Sequence, residues 1–140
     1  MSRPAETTRG VLDTSVIILM RRVRHPDLLP TESYITAVTL AELSVGPLTA
    51  VDDRERATRQ ARLQQVEAEF DALPFDAAAA RAFGRVAASL RDAGRKPTSR
   101  GFDALIAAVA LAHGLPIYTA NPSDFEGIDA LTVVPVEVER

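Results

Sequence analysis

Apolar residues in this chain fall into short runs that alternate with stretches of three- and four-residue spacing. Val11-Leu12 closes a short buried strand that stops at Asp13. Over residues 14 to 24, Val16, Ile17, Leu19, Met20 and Val23 give a helical apolar face. The segment HPDLLPTES then breaks the pattern with Pro26 and Pro30. Tyr34-Ile35 starts a second strand, and Thr39 to Val45 reads as a short helix closed by Gly46-Pro47. Residues 52 to 70 predict a longer, charged helix with Leu63, Val66 and Phe70 on one face. Leu73-Pro74-Phe75 is a brief third strand. Residues 76 to 93 predict a strong helix, with Ala79, Phe83, Val86 and Leu90 on its apolar face and Gly94 at its end. Residues 103 to 113 are apolar almost all round, as in a helix buried mid-domain, and Gly114 and Pro116 end it. Ile117-Tyr118 supplies a fourth strand. Leu131 to Val138 supplies a fifth, which Pro135 confines to a sheet edge.

Strands alternate with helices throughout, so the expected fold is α/β with a mainly parallel sheet of about five strands. Residues 1–8 read as a flexible N-terminal arm and 9–140 as a single domain. In such sheets, sites form at the carboxyl ends of strands, where the strand order reverses. Asp13 lies directly at one such end. Asn121 and Asp124 lie just past another.

Composition narrows the function classes. The hydrophobic share of 46 % is that of a soluble globular chain. No apolar run reaches the ~18–20 residues of a membrane span, and the polar start MSRPAETTRG lacks the core of a signal peptide. A cytoplasmic location is the resulting expectation. The absence of cysteine excludes disulfides, thiolate catalysis and cysteine–zinc sites. The net charge of −3 does not announce a nucleic-acid binder. Its distribution says more, because Lys96 is the only lysine among sixteen basic residues. Arginine suits bidentate phosphate contacts, although solvated helix faces also use it.

The candidate chemistry lies in four acids. Asp13, Glu42, Asp103 and Asp124 occur in the contexts GVLDTS, TLAEL, GFDALIAA and TANPSDF, each at or just inside a predicted helix start. Each has a structural explanation. Asp13 and Asp103 can cap the helices that follow them. Thr39 to Glu42 fits a capping box, and Asn121-Pro122-Ser123-Asp124 fits an Asn cap with an acid in the first turn. Capping and chemistry are compatible, because helix starts gathered at one sheet edge bring carboxylates near one another. Their repulsion in a poorly solvated cleft is relieved by a hard divalent cation, Mg2+ or Mn2+. Soluble enzymes use such sites chiefly for phosphoryl transfer or phosphodiester hydrolysis.

Asp13-Thr14-Ser15 after the first strand, Ala41-Glu42-Leu43, Asp103-Ala104-Leu105-Ile106-Ala107-Ala108 and Thr119-x-Asn121-x-x-Asp124-Phe125 together resemble the PIN domain family, most closely the VapC-type ribonuclease toxins of toxin–antitoxin pairs. The resemblance spans residues 9 to 138. It implies a three-layer fold with the sheet between helices, and a Mg2+- or Mn2+-dependent endoribonuclease. It also implies a cognate VapB-type antitoxin, held in a groove near the helices at 39–49 and 52–70, and a homodimer. Asp13 and Asp103 are then the primary metal ligands, Asp124 completes the set or holds a second ion, and Glu42 orients or deprotonates the attacking water. Thr14, Ser15, Thr119 and Asn121 hold the carboxylates, and Arg100, Arg95 and Lys96 steer the RNA phosphates. One departure stands out: the family often has an acid where this chain has Asn121.

Other readings make different demands. A haloacid-dehalogenase-type phosphatase needs a second acid two residues after the first, where this chain has Ser15. A phospho-accepting receiver domain needs paired acids before that first Asp, and they are missing. A catalytically inactive PIN-fold module that binds RNA or protein draws its support from Asn121. His25 and His113 have no partner at a nuclease spacing.

Overall fold

The structure, a computed structural model, describes residues 6–96 and 101–140. Five strands form one sheet: β1 (Arg9–Leu12), β2 (Glu32–Thr36), β3 (Asp71–Leu73), β4 (Ile117–Thr119) and β5 (Val133–Pro135). Their order is β3-β2-β1-β4-β5, and every neighbouring pair is parallel. From β1 the chain builds outward through β2 and β3, then returns to build β4 and β5 on the other side. The order therefore reverses between β1 and β4. Those two strands approach closely at Gly10, where an added Cβ would stand 2.7 Å from Cδ1 of Tyr118.

Helices cover both faces, as the near-continuous apolar strands require. On one face Val11 and Ile117 pack with Ala82, Val86 and Leu90 of α4 (Ala77–Asp92) and with Ile106 and Ala110 of α5 (Gly101–Ala112). On the other, Leu12 and Ile35 pack with Val16 and Ile17 of α1 (Thr14–Ile18), Leu43 of α2 (Ala37–Leu48) and Val66 of α3 (Asp53–Glu69). The almost wholly apolar α5 is buried along most of its length, as its sequence predicts. Its end turns through Gly114, at φ +63°, into β4. Because β4 runs parallel to β1, the first turn of α5 lies toward the carboxyl edge of the sheet.

Several boundaries differ from the pattern. The apolar face over 14–24 does not make one helix: α1 stops at Ile18 and a 3-10 turn follows at Met20–Arg22. The third strand is Asp71–Leu73, upstream of the expected Leu73-Pro74-Phe75, because Asp71, Ala72 and Leu73 are the residues in register with Tyr34, Ile35 and Thr36. The expected fifth strand divides. Val133–Pro135 forms the sheet edge, while Val138 pairs antiparallel with Val23.

Gly46-Pro47 does not close α2, which continues to Leu48. Pro47 offers no N–H to the Leu43 carbonyl, and the helix ends one residue beyond it. The carbonyls of that last turn are met by α3: Arg59 Nη1 donates to Gly46 O at 2.8 Å and Arg56 Nε to Pro47 O at 3.2 Å. Among the described residues, no helix is long and apolar enough to cross a membrane.

Candidate active site

Asp13 follows the last residue of β1, at the point where strand order reverses. It stands at the N-cap position of α1 in extended conformation, yet its side chain makes no capping bond. The carboxylate is 3 % exposed. Its Oδ2 accepts from Ser15 Oγ at 2.8 Å and from Thr119 Oγ1 at 2.9 Å. Those hydroxyls are themselves fixed by backbone donors, Ala120 N to Ser15 Oγ at 3.1 Å and Asn121 N to Thr119 Oγ1 at 3.0 Å. Two N–H groups past β4 thus orient two hydroxyl protons toward one oxygen. The other oxygen, Oδ1, is buried with no hydrogen-bond partner. A buried polar atom left this way costs about 1–3 kcal/mol, and more when charged. A hard cation is the partner that a lone carboxylate oxygen fits best.

Glu42 stands beside it, half-buried on α2. The N-cap of α2 is Thr36, whose hydroxyl accepts from Thr39 N at 3.2 Å. The capping box expected over Thr39–Glu42 is therefore absent, since Glu42 sits too far into the helix to reach the cap. It accepts instead from Thr14 Oγ1 at 2.8 Å. Thr14 Oγ1 also lies 3.0 Å from Thr39 Oγ1. Its single proton goes to Glu42, so Thr39 is the donor in that second bond. Burial pushes the Glu42 carboxyl above its ordinary value of 4.5, Thr14's hydrogen bond partly opposes this, and the charge of Asp13 adds to the rise.

That direction has a consequence for stability. A raised folded pKa means the folded chain holds the proton to higher pH than the unfolded chain does. Stability therefore falls as pH rises from about 4.5 through the folded value, then stays flat. Glu42→Gln removes this penalty and keeps an oxygen for Thr14. In chelator at pH 7.5 the variant should melt at least as high as the parent, and the difference should shrink below the ordinary carboxyl value. A clearly lower melting temperature at pH 7.5 would contradict the assignment.

Asp103 lies in the first turn of α5 and does not cap it, because the helix already begins at Gly101. Asp124 lies in the 3-10 turn Pro122–Phe125, after β4. Asn121 precedes that turn without a side-chain cap bond. The start of α5 and the 3-10 turn both belong to the carboxyl edge, and α5 packs against α2 and against that turn. The acids share an edge without closing into a cage: among the described residues, no three His, Cys, Asp or Glu side chains form a metal-sized group. Asp13 and Glu42 are close enough for the charge of Asp13 to act on the Glu42 carboxyl.

Three cations were expected to steer phosphates. Arg95 Nη1 donates to Ser123 O at 3.2 Å and Glu126 O at 2.7 Å, so it braces the turn that carries Asp124. Lys96 is exposed. Arg100 lies outside the described residues. The histidines stay apart from the acids: His25 faces Glu137 at 3.7 Å, and His113 follows the end of α5, exposed. The expected Thr14 does hold a carboxylate, that of Glu42, whereas the pattern missed Thr36 and Thr39 behind it, for which the T-x-x-T spacing was the available signal.

The β-strand order, the two helical layers and this edge define a known class. A family model for the PIN domain matches residues 10–131, and the chain belongs to that family. It is 42 % identical to Ribonuclease VapC5 of Mycobacterium tuberculosis over 129 residues, covering 91 % of this chain and 93 % of that protein. It is 30 % identical to Ribonuclease VapC1 of Rickettsia felis, covering 90 % of this chain and 95 % of the relative. Among solved structures it superposes on the M. tuberculosis VapBC-5 structure, a member of the VapBC family of toxin-antitoxin systems. The TM-score there is 0.80 at 38 % identity, covering 92 % of this chain and 99 % of that one.

Proposed function

We propose that this chain is a divalent-metal-dependent endoribonuclease acting as the toxin of a toxin–antitoxin pair, with a VapB-type antitoxin as its protein partner and RNA as its substrate. Relatives named ribonucleases and the VapBC-5 likeness support the coarse reading. The partnerless buried Oδ1 of Asp13, beside a second carboxylate, carries the metal dependence. Asp13, Asp103 and Asp124 would hold Mg2+ or Mn2+. When bound, such an ion supplies Lewis acidity that favours deprotonation of water and offsets charge on the phosphodiester.

The chain's own residues do the rest. Ser15 and Thr119 pin Oδ2 of Asp13, which leaves Oδ1 directed away from them. Glu42, whose pKa is raised by burial, is suited to receive a proton from attacking water. Attack by water with the ribose 3′-oxygen as leaving group would give the 5′-phosphate and 3′-hydroxyl ends that the family resemblance implies. Removing the Thr119 hydroxyl frees Oδ2 to rotate, so Thr119→Val should lose about 10–100-fold in cleavage or metal affinity. Its melting temperature should change much less than its activity.

The antitoxin reading has its own support. A groove of about 630 Å³ between α1 and α3 is lined by Ile17, Met20, Val66 and Phe70 with Arg21 and Arg62 beside them. On the neighbouring α2–α3 hairpin, Val45, Leu48 and Val51 stand exposed. A homodimer and a cytoplasmic location belong to the same proposal.

RNA cleavage measured against a magnesium titration tests the reading. Cleavage that rises saturably with the ion and stops in excess chelator is expected. Full activity in chelator would reject the metal. No cleavage of any RNA under any metal would favour the inactive binding module that Asn121 allows.

A further inference from the structure

Helix α4 carries none of the four acids, yet its end is tied to the link between β4 and β5 that holds Asp124. The chain leaves α4 through Gly94 at φ +75°, a conformation that a side chain would strain. Gly94 N donates to Arg91 O at 3.0 Å and Arg95 N to Leu90 O at 2.7 Å, the paired bonds of a Schellman ending. That ending sets Arg95 against the β4–β5 link. Gly127 lets the link come close: an added Cβ there would stand 3.0 Å from Ala93 Cβ and 3.6 Å from Arg95 Cδ. One turn earlier in α4, Ser89 Oγ accepts from Asp129 N at 3.3 Å.

The turn that carries Asp124 has little to hold it from within. Pro122–Phe125 is a single 3-10 turn, a geometry with poor hydrogen bonds. Asn121 adds no side-chain cap bond in front of it, and the closing bond from Glu126 N to Ser123 O is 3.4 Å long. Phe125 anchors one side in the core. Arg95 fixes the other. The two protons of its Nη1 go to the carbonyls on either side of Asp124 in the chain, Ser123 O at 3.2 Å and Glu126 O at 2.7 Å.

We propose that Arg95 is a positioning residue for the cation: its hold on Ser123 O and Glu126 O keeps Asp124 in place at the acidic edge before an ion arrives. This rests on the metal-dependent nuclease reading and adds a residue that acts through Asp124. A bare positive charge near a cation site does the opposite, because removing it relieves Coulomb repulsion and strengthens binding. The sign of the change therefore separates the brace from a charge that only steers phosphates.

Metal binding tests the brace without any turnover. The full chain is titrated with Mn2+ and followed by electron paramagnetic resonance, as the parent, Arg95→Met, Asp124→Asn and the double variant. Methionine keeps an apolar stem beside Gly127 but has no donor for the carbonyls. Arg95→Met should bind the ion about ten-fold more weakly, the low end for groups that hold metal ligands from behind. Its urea midpoint should stay close to the parent's. In the Asp124→Asn background the same substitution should add little, because the carboxylate it positions is gone. Amide exchange at Asp124 and Glu126, whose N–H groups close the turn, should quicken in Arg95→Met before any metal is added. Equal or tighter Mn2+ binding by Arg95→Met overturns the proposal. So does unchanged amide exchange, a full further loss in the Asp124→Asn background, or a large fall in the urea midpoint. A parent that binds no Mn2+ overturns the metal reading and this role with it, whereas a parent that binds and an Arg95→Met variant that binds equally overturn this role alone.

Discussion

Asp13→Asn should lose RNA cleavage by on the order of a hundred-fold or more while the protein stays folded. Partners that merely orient metal ligands cost about 10–100-fold when removed. The carboxylate they orient should cost at least the upper end of that range. Asparagine has nearly the same shape, so packing is preserved. Its amide must still face one of two wrong ways. Turned toward Ser15 and Thr119, the NH2 meets two hydroxyls whose protons now lack their acceptor. Turned the other way, it presents donors where Oδ1 stood without a partner. Neither arrangement offers a negative oxygen to a cation. The variant should nonetheless melt no lower than the parent in chelator, because it removes a buried charge and relieves Glu42 of an adjacent anion. A collapse of melting temperature would instead mean that Asp13 is structural. Cleavage rates and thermal melts on the same samples separate the two.

Phe125→Ala should have the largest effect on stability. Phe125 is 1 % exposed and closes the 3-10 turn that carries Asp124, packing into the cluster shared with α4 and α5. Truncating a buried phenylalanine costs about 3–5 kcal/mol. A domain of this size has roughly 5–15 kcal/mol in all, so the fraction lost is large. Leu48→Ala is the control. Leu48 is 84 % exposed, and its truncation should stay within about 0.5 kcal/mol. Urea unfolding followed by circular dichroism measures both. If Phe125→Ala unfolds at the parent's midpoint, the turn is not anchored as described, and the placement of Asp124 loses its support.

Apolar spacing made most of the fold legible. The all-round apolar 103–113 segment announced the central helix, and Pro135 announced the edge strand. What the pattern misjudged came from contacts distant in sequence. Gly46-Pro47 reads as a stop, and α2 runs only to Leu48; the bonds from Arg56 and Arg59 that meet its last carbonyls come from another helix and are not visible in local spacing. Leu73-Pro74-Phe75 reads as a strand by composition, but pairing with β2 selects the residues just before it. At the site, Asp13 was legible because it follows a strand next to the reversal point, and Thr119 because it opens the Thr119-x-Asn121 motif of the family resemblance. Glu42 looked like a capping residue because Thr39 mimics a cap three residues upstream. The true cap, Thr36, is identifiable only once the strand is known to run to that residue. Arg95 looked like a phosphate contact, whereas two carbonyls of the Asp124 turn engage its guanidinium.

Titration of the metal-free chain with Mn2+, followed by electron paramagnetic resonance, bears most directly on whether acids from separate elements act together as one cation site. The parent should bind the ion saturably, and Asp13→Asn and Asp103→Asn should each weaken that binding by ten-fold or more. Equal Mn2+ binding by the parent and both variants, or none by any of them, would contradict the account.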